Sequence, residues 1–230
     1  MDLRASDPEY MAAFERFARA ELPDMPEWRI DDETRHMAIL AALAGCQGAE
    51  AFGEALDAAL EDGFSPEMAR EIVYQATPYL GMGRVRPFLT AMNAAFARRN
   101  IALPLRDLSV ATAENRLERG AQAQVEIFGE DMRDFWRGGP MNRCLAANCF
   151  GDYYTRGGLN LRQRELITFC FLYAQGGCEA QLSSHIRANL RMGNGAELLE
   201  RVVGQCVPYV GYPRSLNALS CIRAVCSEAQ

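Results

Sequence analysis

The sequence predicts an all-α protein made of two tandem helical units related by a pseudo-two-fold axis. Three observations lead there. Apolar residues recur at helical spacing, and a period-two alternation never lasts for the length of a strand. Residues that start and stop helices punctuate the chain at intervals of one helix. Finally, the chain repeats itself at a shift of 130 residues: Gln75-Ala76-Thr77-Pro78-Tyr79-Leu80-Gly81 returns as Gln205-Cys206-Val207-Pro208-Tyr209-Val210-Gly211.

Each element has its local cause. Ser6 and Glu9 have capping-box spacing, and Pro8 suits the opening turn of a helix reaching about Ala20. Pro23 and Pro26 break it. Asp31 caps a second helix, for which Gly45 is the expected C-terminal stop. A third runs from about Ala49 to Leu60 and stops at Gly63. Ser65-Pro66-Glu67 opens a fourth, expected to end before Thr77-Pro78 because a residue preceding proline avoids the helical region. A fifth covers about Arg84 to Asn100. Ile101 to Leu108, with Pro104 and little periodicity, reads as a linker between units 1–104 and 105–230. Helices then cover about Ala113–Phe128 and Asn142–Tyr153. Asn160 with Gln163 caps the next, and Gly176-Gly177 turns the chain into another from about Cys178 to Leu190. Two more lie near Ala196–Cys206 and Pro213–Ser227.

The repeat extends beyond the shared corner. Ala58, Leu60, Gly63 and Glu67 fall on Ala188, Leu190, Gly193 and Glu197, and Arg84 falls on Arg214. Chance similarity between helices matches apolar positions, whereas a Pro-Tyr-x-Gly corner is a particular piece of backbone.

Composition narrows the function. The chain is 49% apolar and 23% charged, which suits a buried core, and its net charge of −6 argues against a nucleic-acid partner. Its opening residues are acidic and carry no secretory apolar run, and no stretch is apolar enough to span a membrane. A cytoplasmic location is expected. Eight cysteines include no C-x-x-C pair and only two histidines accompany them, so zinc and dithiol spacings are absent and no metal is expected. Most of these cysteines read as small buried apolar residues.

One stretch resembles a known family. Leu161-Arg162-Gln163-Arg164-Glu165-Leu166-Ile167-Thr168, Ser184-His185-Ile186-Arg187-Ala188-Asn189-Leu190 and Pro208-Tyr209-Val210-Gly211 resemble the motifs of carboxymuconolactone decarboxylases and the related alkylhydroperoxidase D fold. Phe128-Gly129-Glu130 and Gly151-Asp152-Tyr153-Tyr154-Thr155-Arg156 resemble their N-terminal part. The resemblance implies an all-α tandem member of that fold acting on a small molecule without a cofactor. It also implies self-association: single-copy members form six-subunit rings, so a tandem chain suits a homotrimer forming a pseudo-hexameric ring, or a dimer.

The resemblance carries two chemistries. One is cofactor-free decarboxylation or proton transfer on a small acidic lactone or keto acid. There His185 serves as acid or base, Glu165 orients it, Arg164 or Arg187 holds a carboxylate, and Gln181 and Tyr209 line the pocket. The other is thiol peroxidase activity, in which Cys178 and His185 match a Glu…C-x-x-C…His pattern. Gln181 stands where that pattern has its second cysteine. A non-catalytic member is the third reading. Positions 178, 181 and 185 share one helix face at i, i+3 and i+7, and the preceding antiparallel helix can bring Glu165 to it. In the first unit Ala55 falls where His185 lies and His36 falls opposite Glu165, so that unit reads as catalytically empty, a wall for its partner's pocket.

Overall fold

A computed structural model describes residues 3–228, and every regular element among them is helical. After a turn at Leu3–Ser6, α1 (Pro8–Glu15) runs on as π-helix over Arg16–Glu21. Helices α2 (Asp32–Gly45), α3 (Ala49–Glu61), α4 (Pro66–Leu80) and α5 (Met82–Arg98) complete a first set. Helix α6 (Arg116–Phe128) stands between the sets. The second set is α7 (Pro140–Cys144, continuing as π-helix over Leu145–Tyr154), α8 (Leu161–Gln175), α9 (Glu179–Arg191), α10 (Ala196–Val210) and α11 (Tyr212–Glu228). Helices α3, α4 and α5 recur as α9, α10 and α11 at the same shift of 130. Even the π-helical end of α1 has its counterpart in α7, whereas α6 has none.

The caps explain most boundaries. Asp31 Oδ1 accepts the Thr34 N–H at 2.9 Å, and Asn160 and Gln163 make both bonds of a capping box. Gly176 and Gly177 both take positive φ, 71° and 72°, which turns the chain sharply from α8 into α9. The expected linker is non-helical, and the helix-free stretch continues to the start of α6.

Four expectations are corrected. Asp7, not Ser6, occupies the N-cap of α1, and it makes no side-chain cap bond. Helix α2 does end at Gly45, but the left-handed turn falls to Gln47 at φ 65°, and Gly45 serves a close approach instead: a Cβ there would stand 2.7 Å from the Phe171 carbonyl oxygen where α8 crosses. Helix α4 continues through Pro78 to Leu80, and α10 likewise through Pro208 to Val210. A proline so near a helix end forfeits one internal bond, and the stop falls instead to Gly81 and Gly211 at φ 81° and 86°.

One apolar core joins the two sets. Helices α2 and α8 are buried nearly all round and cross at its centre, with Leu40, Leu43, Phe169 and Phe171 at 3% exposure or less. Contact across the halves is reciprocal: α4 packs on α8, and α10 packs on α2. A polar network ties them further. Arg164, fully buried, donates to Gln75 Oε1 at 2.6 Å and pairs with Glu71 at 3.2 Å, and Arg156 reaches Glu71 at 2.9 Å. A satellite cluster of Ile127, Cys149, Phe150 and Tyr154 binds α6 to the π-helical segment, and Phe128 and Tyr79 pack against it. Among the described residues no helix is long and apolar enough to cross a membrane.

Candidate active site

The capping box at Asn160 fixes where α8 begins, so Glu165 lies in its second turn, on the face toward α9. The double-glycine turn returns α9 antiparallel and sets His185 opposite. His185 Nδ1 lies 2.7 Å from Glu165 Oε2, and both residues are buried. Asn189 fastens the two helices beside them, donating to the Glu165 carbonyl at 2.9 Å and the His185 carbonyl at 2.8 Å. Asn194 braces Asn189 Oδ1 at 2.8 Å.

This arrangement assigns the proton. A carboxylate at Nδ1 accepts, so Nδ1 carries the hydrogen and Nε2 of a neutral ring keeps its lone pair. Nε2 makes no hydrogen bond to a described residue, and Glu165 Oε1 is buried without a partner. One carboxylate oxygen of the pair therefore stays unspent in a buried place, which structural carboxylates seldom do, beside a ring nitrogen with a free lone pair.

Aromatic groups wall the imidazole. Tyr79 and Phe128 meet it edge-on, with ring centroids at 5.6 and 5.4 Å. Tyr79 Oη lies 2.7 Å from Tyr154 Oη, and Tyr154 Oη lies 2.7 Å from Thr168 Oγ1. Burial pushes both phenols well above their ordinary range, and the Glu165 charge adds to this in each. Burial likewise drives the neighbouring Cys149 thiol up to about 12, with the Glu165 charge reinforcing it, so this sulfur stays a neutral thiol. Helix α6 covers the group, and a cavity of about 820 Å³ between α6 and the 154–161 segment reaches Tyr154 from outside.

The other expected site residues lie elsewhere. Cys178 is the N-cap of α9; its Sγ faces the Leu172 carbonyl at 3.4 Å and Gln175 Nε2 at 3.5 Å. The seven residues to His185 rise roughly 10 Å along the helix, so a shared face does not bring thiol and imidazole together. Gln181 is exposed at the surface. Arg187 is half-exposed and pairs with Glu228. Arg164 cannot meet a ligand carboxylate, because its guanidinium is sealed between Gln75, Glu71 and the Arg156 and Gly157 carbonyls. Tyr209 belongs to the opposite half, where it packs on Phe14 and lines a cavity with His36. The reason is the crossed packing: α10 lies on α2, so its tyrosine serves the first half while Tyr79 serves the second.

Tyr79, Phe128, Cys149 and Tyr154 escaped the sequence reading. The repeat held the signal for Tyr79, since it is the counterpart of Tyr209. Phe128 and Tyr154 lie in stretches that carry the family resemblance but were not read as site residues, and nothing local marks Cys149. Among the described residues no group of three or more His, Cys, Asp or Glu side chains is gathered as metal ligands would be.

Comparison with known proteins bears on this geometry. The model of the carboxymuconolactone decarboxylase family matches residues 8–95 and again residues 141–224. The two matches fall on the two helix sets and leave α6 outside both. No curated protein matches the chain.

Proposed function

The chain belongs to the carboxymuconolactone decarboxylase family, in two tandem matched regions, and on that premise we propose that it is a cofactor-independent acid–base enzyme acting on a small acidic lactone or keto acid. The observation that carries this reading is the buried 2.7 Å contact between His185 Nδ1 and Glu165, with Nε2 left unspent.

The proton steps follow from that contact. His185 Nε2 takes a proton from the carbon beside a carbonyl, and the electron pair of that bond moves into the enolate. The imidazolium so formed is stabilised by Glu165, then returns the proton to carbon. In decarboxylation the carbon–carbon bond supplies the electron pair instead, carbon dioxide leaves, and an imidazolium already present protonates the enolate. Tyr79, edge-on to the imidazole, is the hydroxyl assigned to the enolate oxygen in this reading. Neither Arg164 nor Arg187 takes part, because Arg164 is sealed in the core and Arg187 faces Glu228.

The test is to incubate the protein in deuterated water with a panel of small lactones and β-keto acids, following isotope uptake and carbon dioxide release. Saturable uptake or release is expected, and His185→Gln should lower it on the order of 10²–10⁴-fold. Absence of both throughout the panel, or full activity in His185→Gln, refutes the proposal.

Self-association belongs to the same proposal. Met82 and Tyr212, which correspond in the repeat, stand 56% and 60% exposed at the starts of α5 and α11, beside Leu216 at 60%. Such apolar groups on both halves suit contacts between copies, and a homotrimer or dimer is read directly from sedimentation equilibrium.

A further inference from the structure

The first half holds a cavity of its own where the second half holds the Glu165–His185 pair. Its volume is about 270 Å³, and Arg19, Arg35, His36, Ala55, Asp62 and Tyr209 are among its walls. The correspondence is element by element. His36 is on α2 as Glu165 is on α8, Ala55 holds the place of His185, and Tyr209 roofs it as Tyr79 roofs the other site. Ala55 removes the imidazole and leaves room. The rim residues Arg19 and Asp62 are exposed, so the space opens to solvent.

Its chemistry differs from its counterpart's. His36 is buried, and its Nε2 lies 2.9 Å from Asp62 Oδ2. With Asp62 accepting, Nε2 carries the hydrogen, and Nδ1 of the neutral ring keeps a lone pair that bonds no described residue. Burial, then the charge of Arg35, lowers the proton affinity of His36 against the opposing pull of Asp62 and Asp32, so the ring is neutral near pH 7. Among the described residues Arg35 pairs only with Asp32, at 3.0 Å, and Arg19 makes no ion pair. Glu61, also on the rim, is turned to Arg99 at 3.4 Å. The cavity thus offers two guanidinium groups and one acceptor lone pair.

We propose that this cavity is a second ligand site, which binds a small hydroxycarboxylic acid with its carboxylate on Arg19 and Arg35 and its hydroxyl donating to His36 Nδ1. Tyr209 covers the carbon chain. The site is independent of the acid–base pair in the other half, since the ligand touches neither Glu165 nor His185.

The chain has only two histidines, so nitrogen-15 imidazole spectra of the full protein separate the two sites. L-lactate is the probe and propionate, which lacks the hydroxyl, its comparison, with sodium chloride matching ionic strength. Lactate should shift His36 saturably and leave His185 unmoved, with propionate weaker by about tenfold, the loss of one well-made hydrogen bond. Arg35→Gln should weaken lactate by a similar factor. Ala55→Phe, which fills the cavity without changing a charge, should abolish the shift while circular dichroism stays that of the parent. No saturable His36 shift with lactate, equal binding of propionate, or lactate binding intact in both variants overturns the proposal.

Discussion

Two residues of similar type are separated by their surroundings alone. Glu165 and Glu71 are both fully buried. Glu71 is surrounded by Arg70, Arg156 and Arg164, while Glu165 has one imidazole and an unsatisfied oxygen. The first is therefore structural, and the second retains capacity for chemistry. The cysteines sort by the same criterion. Burial raises Cys149 and Cys206 each to about 12, while Cys144 is exposed. Ellman's reagent should label Cys144 promptly in the native protein and leave Cys149, Cys170 and Cys206 unlabelled until denaturant is added. A folded pKa above the unfolded one gives stability that is complete below the unfolded value and lost as pH rises toward the folded one. Stability should therefore decline between the ordinary thiol value of 9.0 and about 12, and less so in Cys149→Ala. Urea midpoints on either side of the lower value check this.

At the scale of elements, α6 is the piece that the repeat does not explain. It crosses the π-helical segment so closely that a Cβ on Gly120 would stand 1.8 Å from the Ala146 carbonyl oxygen, and one on Gly151 would stand 2.1 Å from that of Arg116. These are backbone contacts with no flexible end to give way. Gly120→Ala or Gly151→Ala must part the two elements, at a cost of about 1–3 kcal/mol. Because Phe128 and Tyr154 wall the imidazole group, either variant should also loosen the cover of Glu165–His185. The expected outcome is a lower urea midpoint together with faster hydrogen exchange in α6, while α3 and α5 are unchanged. The π-helical turns at matched places in α1 and α7 fit this account: a π-turn re-aims side chains locally, and here it lies against each cavity.

For the whole molecule, the halves share one core. The crossing of α2 and α8 places the core between them, and Glu71 of the first half neutralises Arg156 and Arg164 of the second. Glu71→Ala would leave buried guanidinium groups uncompensated, a loss of about 3–5 kcal/mol. That should lower stability across the whole protein in one transition, not in one half. A calorimetric scan resolving two separate transitions would contradict it. The crossed packing also means that each half draws a tyrosine from the other: His185 meets Tyr79 of the first half, and the first half's cavity is lined by Tyr209 of the second.

The all-α class, the tandem repeat and most helix positions were legible in the sequence, because capping, proline and glycine effects act within one turn and leave a local mark. Asp31, Asn160, Gly176 and Gly177 behave as their residue types require. The Glu165–His185 pairing was also foreseeable, since one short turn joins the two helices that carry it. What crosses between distant segments was not. Spacing put Cys178 on the face of His185, yet rise along the helix separates them; Arg164 looked like a ligand-binding cation, yet Glu71 and Gln75 close over it. Tyr209 was assigned to its own half, and the His36–Asp62 cavity was passed over as empty. A sequence records the propensities of neighbours, whereas burial and pairing across 90 residues or more, as between Gln75 and Thr168, depend on how helices cross, and only the tertiary structure decides that.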